Sequence, residues 1–211
     1  MVAAGKGASG YNPTGFLTCG GIPFIVASKN QSDSKGKVLF SEEQIRKRVA
    51  ELARQISKDY EGKTLYAVGV LENSFIFMAD LVRAVDVPMV CQFMKPEFSE
   101  KKTGKISTME IKFSPEIHVK GQHVLLIEGL VQSGVTSEFL LRNLTGRGAA
   151  SVKLATFLDK QSSRRLSLQP DYFAFLVDES FVVGYGLGSP EMGRNLPYVT
   201  SAPPAGAPAA R

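Results

Sequence analysis

Apolar positions behind Ser41 return every three or four places, and this spacing predicts an amphipathic helix running to about Lys58. Ile45, Val49, Leu52, Ala53 and Ile56 form its apolar stripe. Ser41 with Gln44 makes a capping box, in which a hydroxyl and an amide satisfy helix N–H groups that otherwise lack partners. Leu65 to Leu71 is a nearly continuous apolar run, as expected of a strand buried on both faces. A second helix is predicted over about Phe75 to Ala84, a strand over Val87 to Met94, and a charged loop over Glu97 to Gly104. His123 to Ile127 reads as another buried strand, followed by a loop and a helix from about Thr136 to Leu144. Val152 to Leu158 and Tyr172 to Leu176 complete the set. Strands alternating with helices predict an α/β fold with a mainly parallel sheet and helices on both faces. Ligands of such sheets sit beyond the carboxyl ends of the strands, which singles out the loops after Leu71, Ile127, Leu158 and Leu187.

The ends of the chain break this pattern. Residues 1 to 36 are rich in Gly, Ser, Asn and Thr and show no sustained period, apart from a short apolar run from Ile22 to Val26. They are basic, Ser-containing and acid-poor, as an organelle transit peptide is, yet lack its Arg-rich amphipathic helix. Residues 201 to 211 form a Pro/Ala tail that cannot build a core. The expected organisation is therefore an N-terminal extension over 1–36, an α/β domain over 37–200 and a tail over 201–211. Phe16, Phe24 and Ile25 are the extension's expected anchors on a neighbouring protein.

Composition narrows the function classes. With 44% hydrophobic and 21% charged residues the chain of 211 has enough apolar content for a core. It contains no run of about 18 apolar residues, so no membrane span is expected. The net charge of +5 is +2 in residues 1–36 and +1 in the tail, leaving +2 for the middle, which has no basic stripe; nucleic acid is not an expected partner. Two cysteines and two histidines offer neither a disulfide framework nor a zinc cluster, and no metal site is expected from the residues themselves.

The loop after Ile127 holds the most informative chemistry. Val124 to Thr136 reads as a strand, a tight Ser133-Gly134 turn and a helix start. Successive N–H groups at such a turn, aided by the helix dipole, suit a phosphate, with Ser133 and Thr136 as hydroxyl donors. A plain helix cap is the alternative reading of the same turn.

At this point the sequence resembles the hypoxanthine-guanine phosphoribosyltransferases, most closely the bacterial type. The stretches that carry the likeness are Ile56–Lys63, Ser74–Leu81, Gln169–Tyr172, Phe181–Leu187 and Arg194–Tyr198, in the family's order. The resemblance implies a type I phosphoribosyltransferase core under a small hood, and exchange of pyrophosphate on magnesium-bound phosphoribosyl pyrophosphate for a purine. It also implies site residues: Ser133, Gly134 and Thr136 for the 5′-phosphate, Lys160 for the exocyclic oxygen, Phe181 stacking on the purine, Val182 offering backbone contacts, and Arg194 on the pyrophosphate side. Each has a structural alternative: Phe181 as core, Lys160 as a surface cation, Arg194 as an ion-pair partner.

Departures from the family pattern fall on its chemistry. Of the two acids that hold the ribose, Glu128 is kept and Gly129 replaces the other; Gln132 replaces the general base and cannot accept a proton from the purine. The pyrophosphate loop reads Leu71-Glu72-Asn73-Ser74, so that Glu72 is expected to repel a diphosphate. Glu97-Phe98 or its neighbours replace the Ser-Tyr pair of the family's mobile lid, and Gly188 replaces the acid that helps hold magnesium. The leading expectation is a family member kept for binding, without catalysis, as an accessory subunit of a larger protein assembly reached through the N-terminal arm. A purine monophosphate and a second copy of the chain are further expected partners, and no cofactor is expected. The alternative is an active divergent enzyme using Glu128 and water, with magnesium, that makes IMP or GMP from hypoxanthine or guanine.

Overall fold

A computed structural model describes backbone and side chains of residues 37–96, 117–179, 181–188 and 193–201, and the backbone alone of 17–19, 22–24, 97–103 and 106–114. The chain divides into two units, Met1–Lys35 and Gly36–Arg211. In the first, β1 (Leu17–Cys19) and β2 (Ile22–Phe24) pair antiparallel. Of the expected anchors, Phe24 ends β2, while Phe16 and Ile25 lie outside the described residues, as does the tail beyond Ser201.

The second unit begins with β3 (Val38–Phe40) and α1 (Glu42–Asp59). Both arms of the capping box form: the Gln44 N–H donates to the Ser41 hydroxyl and the Ser41 N–H to the Gln44 side chain, at 3.3 and 2.8 Å. The elements β4 (Leu65–Val70), α2 (Phe75–Ala84), β5 (Met89–Thr103), β6 (Ile106–Ser114), β7 (His123–Val131), α3 (Val135–Gly146), β8 (Ser151–Asp159) and β9 (Tyr172–Leu176) follow, and β10 (Val199–Thr200) comes last. The main sheet runs β6-β5-β4-β7-β8-β9. Its last five strands are parallel, and β6 joins antiparallel at one edge.

Alternation along the central strand builds two cores. Leu125 and Ile127 of β7 face a cluster with Ile45, Val49 and Leu52 of α1 and Phe77 and Leu81 of α2. Val124 and Leu126 face the other side, against Leu140 and Leu144 of α3. Helices on both faces of a parallel sheet are thus as the sequence predicts, and both clusters exclude water completely at β7.

One element corrects the expectation. Residues 97–103 form no charged loop; they continue β5, which pairs with β6 from Lys95 opposite Ser114 to Thr103 opposite Ile106. Ladder hydrogen bonds to β6 satisfy this backbone whatever its side chains are, so the charge run did not end the strand.

A hood forms over the carboxyl ends of the strands from the two ends of this unit. β10 pairs antiparallel with β3, and Val183 exchanges hydrogen bonds of 3.0 and 2.9 Å with Thr200. It packs on the sheet through Phe40, stacked on Phe175 with centroids 4.2 Å apart, and Tyr185, 4.7 Å from Phe157.

Candidate functional site

The carboxyl ends of β4, β7 and β8 and the hood converge on one region. At its centre β7 turns into α3. Gly134 caps the helix in the left-handed conformation, with φ of 80°. A Cβ there would lie 3.2 Å from Arg164 Cδ and 3.3 Å from Leu168 Cδ2, so both the conformation and the space favour glycine. The Val135 N–H donates to the Ser133 hydroxyl at 3.3 Å, and Thr136 lies in the first helical turn. Ser133, Gly134 and Thr136 are therefore brought together at a helix N-terminus, as the sequence suggests, while Gln132 is exposed at the end of β7.

Glu128 lies beneath this turn, 7% exposed. The Ser137 hydroxyl hydrogen-bonds its carboxyl, Arg164 acts on it through space, and its Oε1 has no hydrogen-bond partner. Burial dominates these favourable contacts and holds the carboxyl up at about 7. Arg164 pairs with Asp159, itself 1% exposed, and leaves its own Nη1 unpartnered. Sequence reading missed Ser137, Asp159 and Arg164, whose importance comes from burial alone.

At the end of β8, Lys160 Nζ donates to the Glu179 carbonyl at 3.0 Å, which ties this strand to the segment leading into Phe181. Phe181 is 38% exposed and Val182 is buried. The alternative reading of Phe181 as core is thus set aside, while Val182 joins the core cluster under the hood.

The loop after β4 is held differently from expectation. Its Leu71–Glu72 peptide is cis. Glu72 does not stand as an uncompensated charge: Lys95 donates to Oε1 at 3.0 Å and Arg194 to Oε2 at 2.8 Å. The two cations hold its carboxyl below the usual range. The Arg194 fork also donates to Asn73 Oδ1 at 3.2 Å and to the Gly188 carbonyl at 3.4 Å. Arg194 thus forms an ion pair with Glu72. Beneath, the Asn73 carbonyl fills the space beside Gly129. A Cβ on Gly129 would overlap that oxygen and lie 2.7 Å from its carbon and 3.0 Å from Leu187 Cδ2. The side chains at Glu97 and Phe98 lie outside the described residues.

Magnesium, which the family would bring with a diphosphate, does not fit these groups. Both Glu72 oxygens are taken by cations, Gly188 offers only a carbonyl that already accepts from Arg194, and Glu128 is buried under the turn. No cluster of three metal-ligating His, Cys, Asp or Glu side chains occurs among the described residues. Among them, too, no helix is long and apolar enough to cross a membrane.

A five-stranded parallel sheet with helices on both faces, a hood at the strand ends and a Ser-Gly turn opening α3 together define a type I phosphoribosyltransferase fold. Comparison with known proteins agrees: the family model described as phosphoribosyl transferase domain matches residues 37–190. The chain is 38% identical to the hypoxanthine-guanine phosphoribosyltransferase of Bacillus subtilis over 171 residues, covering 80% of this chain and 94% of the enzyme. It is 39% identical over 165 residues to the bifunctional protein TilS/HprT of Listeria innocua, spanning 77% of this chain and a quarter (25%) of that longer protein. A solved hypoxanthine phosphoribosyltransferase from Staphylococcus aureus superposes with a TM-score of 0.73 at 34% identity, over 82% of this chain and 95% of that one. The chain belongs to the hypoxanthine-guanine phosphoribosyltransferase family.

Proposed function

We propose that this chain binds a purine nucleoside 5′-monophosphate at the β7–α3 turn and has lost phosphoribosyl transfer. The observation that carries the reading is Glu128: a buried carboxyl with one oxygen unpartnered, directly under a helix N-terminus. A buried polar atom without a partner costs about 1–3 kcal/mol, and a carboxyl that turns towards the site to accept from a sugar hydroxyl relieves that cost. The turn at Ser133, Gly134 and Thr136 then takes the phosphate, while Lys160 and Phe181 face the purine. Against transfer stand Gln132, which has no basic group, and the Asn73 carbonyl beside Gly129, where the family has its second acid. A protein of this kind acts by binding, as an accessory subunit, with residues 1–36 as its docking arm.

A second reading is purine salvage: transfer of phosphoribosyl to hypoxanthine or guanine. The names of the relatives favour it over the first, since enzymes so named are 38–39% identical over more than nine-tenths of their length. A carboxyl near 7 also suits proton transfer at neutral pH. Steady-state assay with hypoxanthine, guanine and phosphoribosyl pyrophosphate decides, alongside calorimetry with inosine and guanosine monophosphates. Monophosphate binding without turnover supports the first reading. Turnover of the unaltered chain at the rate of ordinary family members replaces it with the second; recovery of such turnover by Gln132→Asp alone would instead show that the rest of the site is competent and that Gln132 accounts for the loss. Absence of both binding and turnover refutes both.

A further inference from the structure

The Glu72 carboxylate is the feature that neither reading explains. It comes from the loop after β4, its partner Lys95 from β5 and its partner Arg194 from the hood, so three separate parts of the fold converge on one anion. Both of its oxygens are used, and the planar Arg194 fork spends its remaining reach on Asn73 and Gly188 of the same region. Exposed ion pairs of this kind add little to stability, and all the side chains involved keep some contact with water. Their consequence is one of occupancy.

We infer that Glu72 is a resident anion: it occupies Lys95 and Arg194, the cations an incoming diphosphate would use, and so makes the site selective for ligands with a single phosphate at the β7–α3 turn. The inference rests on the proposed nucleotide site and names the ligand class it admits. A diphosphate reaching Arg194 has to break two charged hydrogen bonds and leave the Glu72 charge beside its own. A monophosphate at Ser133–Gly134 disturbs neither. The same contacts predict what removing the charge does. Glu72→Gln keeps the shape of the side chain but frees both cations, which then form an anion site closed in the unaltered chain.

The test is calorimetric titration of the full-length protein with inorganic pyrophosphate, free of magnesium. Glu72→Gln is expected to bind pyrophosphate at least about tenfold more tightly than the unaltered chain, the effect of one unit charge removed at hydrogen-bonding distance even under strong screening. Glu72→Ala, which also lacks the charge but not through an amide, is expected to agree. Adding Arg194→Gln to Glu72→Gln is expected to abolish the gain. Equal pyrophosphate affinity with and without Glu72, no binding by either Glu72 variant, or a gain that survives loss of Arg194 each overturns the inference. Inosine monophosphate titrated into the unaltered chain separates the two ideas. Its failure to bind refutes the proposed nucleotide site, whereas the pyrophosphate series reports on Glu72 alone.

Discussion

Replacing Glu128 by Gln should make the protein more stable at neutral and alkaline pH, and the gain should be pH-dependent. The carboxyl sits 7% exposed under the first turn of α3, and burial raises its pKa from 4.5 to about 7. The folded state therefore holds this proton more tightly than the unfolded chain. Stability from this group is fully present below the unfolded value and declines as pH rises towards the folded one. Beyond pH 7 the ionised carboxylate costs the fold its full penalty. At 1.36 kcal/mol per pKa unit, a rise of this size corresponds to about 3 kcal/mol. Gln keeps the length of the side chain and can still accept from Ser137, so the comparison isolates the charge. Urea denaturation of both proteins at pH 5, 6, 7 and 8 measures it. The variant should gain on the wild type steadily across that series, with the difference levelling off above pH 7. A difference that is constant from pH 5 to 8, or one that shrinks as pH rises, refutes the assignment of Glu128 as a buried acid. The same proton couples to ligand. A sugar hydroxyl donating to Oε1 favours the ionised form, so monophosphate affinity should rise with pH through this window more steeply in the wild type than in Glu128→Gln.

Other expected outcomes are open to direct measurement. Gly129→Ala places a methyl group against the Asn73 carbonyl and should cost about 1–3 kcal/mol in chemical denaturation, with loss of the Glu72–Arg194 contact as the loop shifts. Arg164→Met strips the partner from a buried Asp159 and should destabilise by about 3–5 kcal/mol; adding Asp159→Asn should recover most of that, as judged by the melting temperature. Deleting residues 1–30 should leave the circular dichroism and melting of the α/β unit unchanged, because it closes its cores from residue 37 onward, and should release the protein from its proposed assembly on size fractionation.

The elements that the sequence declares are those whose side chains set their environment. The stripe from Ile45 to Ile56 and the box at Ser41 define α1, and the unbroken apolar runs at Leu65 and His123 define strands covered on both sides. The hairpin of β5 and β6 is different, because charged residues at 97–103 resemble a loop until their backbone is seen to be paired. Alternation of Met109, Ile111 and Phe113 with polar neighbours was the available signal. In the site, the Ser133–Gly134 turn is legible because its residue types carry the chemistry. The Asn73 carbonyl is not, since every residue has one and only the fold decides where it points. Glu72 shows the same limit from the other side: its charge is plain in the sequence, but Lys95 and Arg194 reach it from 23 and 122 residues away.

The closure of the Asn73 carbonyl over Gly129 makes the order of changes matter. While the loop stands in this position, an acid at 129 has nowhere to put even its first carbon, and a second wall is given by Leu187. Introducing an acid at 129 by itself is then disfavoured at the first step, before any question of activity arises. Changes at Glu72 and Asn73 that let the loop withdraw have to come earlier. Engineering an acid into position 129 would have to follow that order, with the loop moved before the side chain is added.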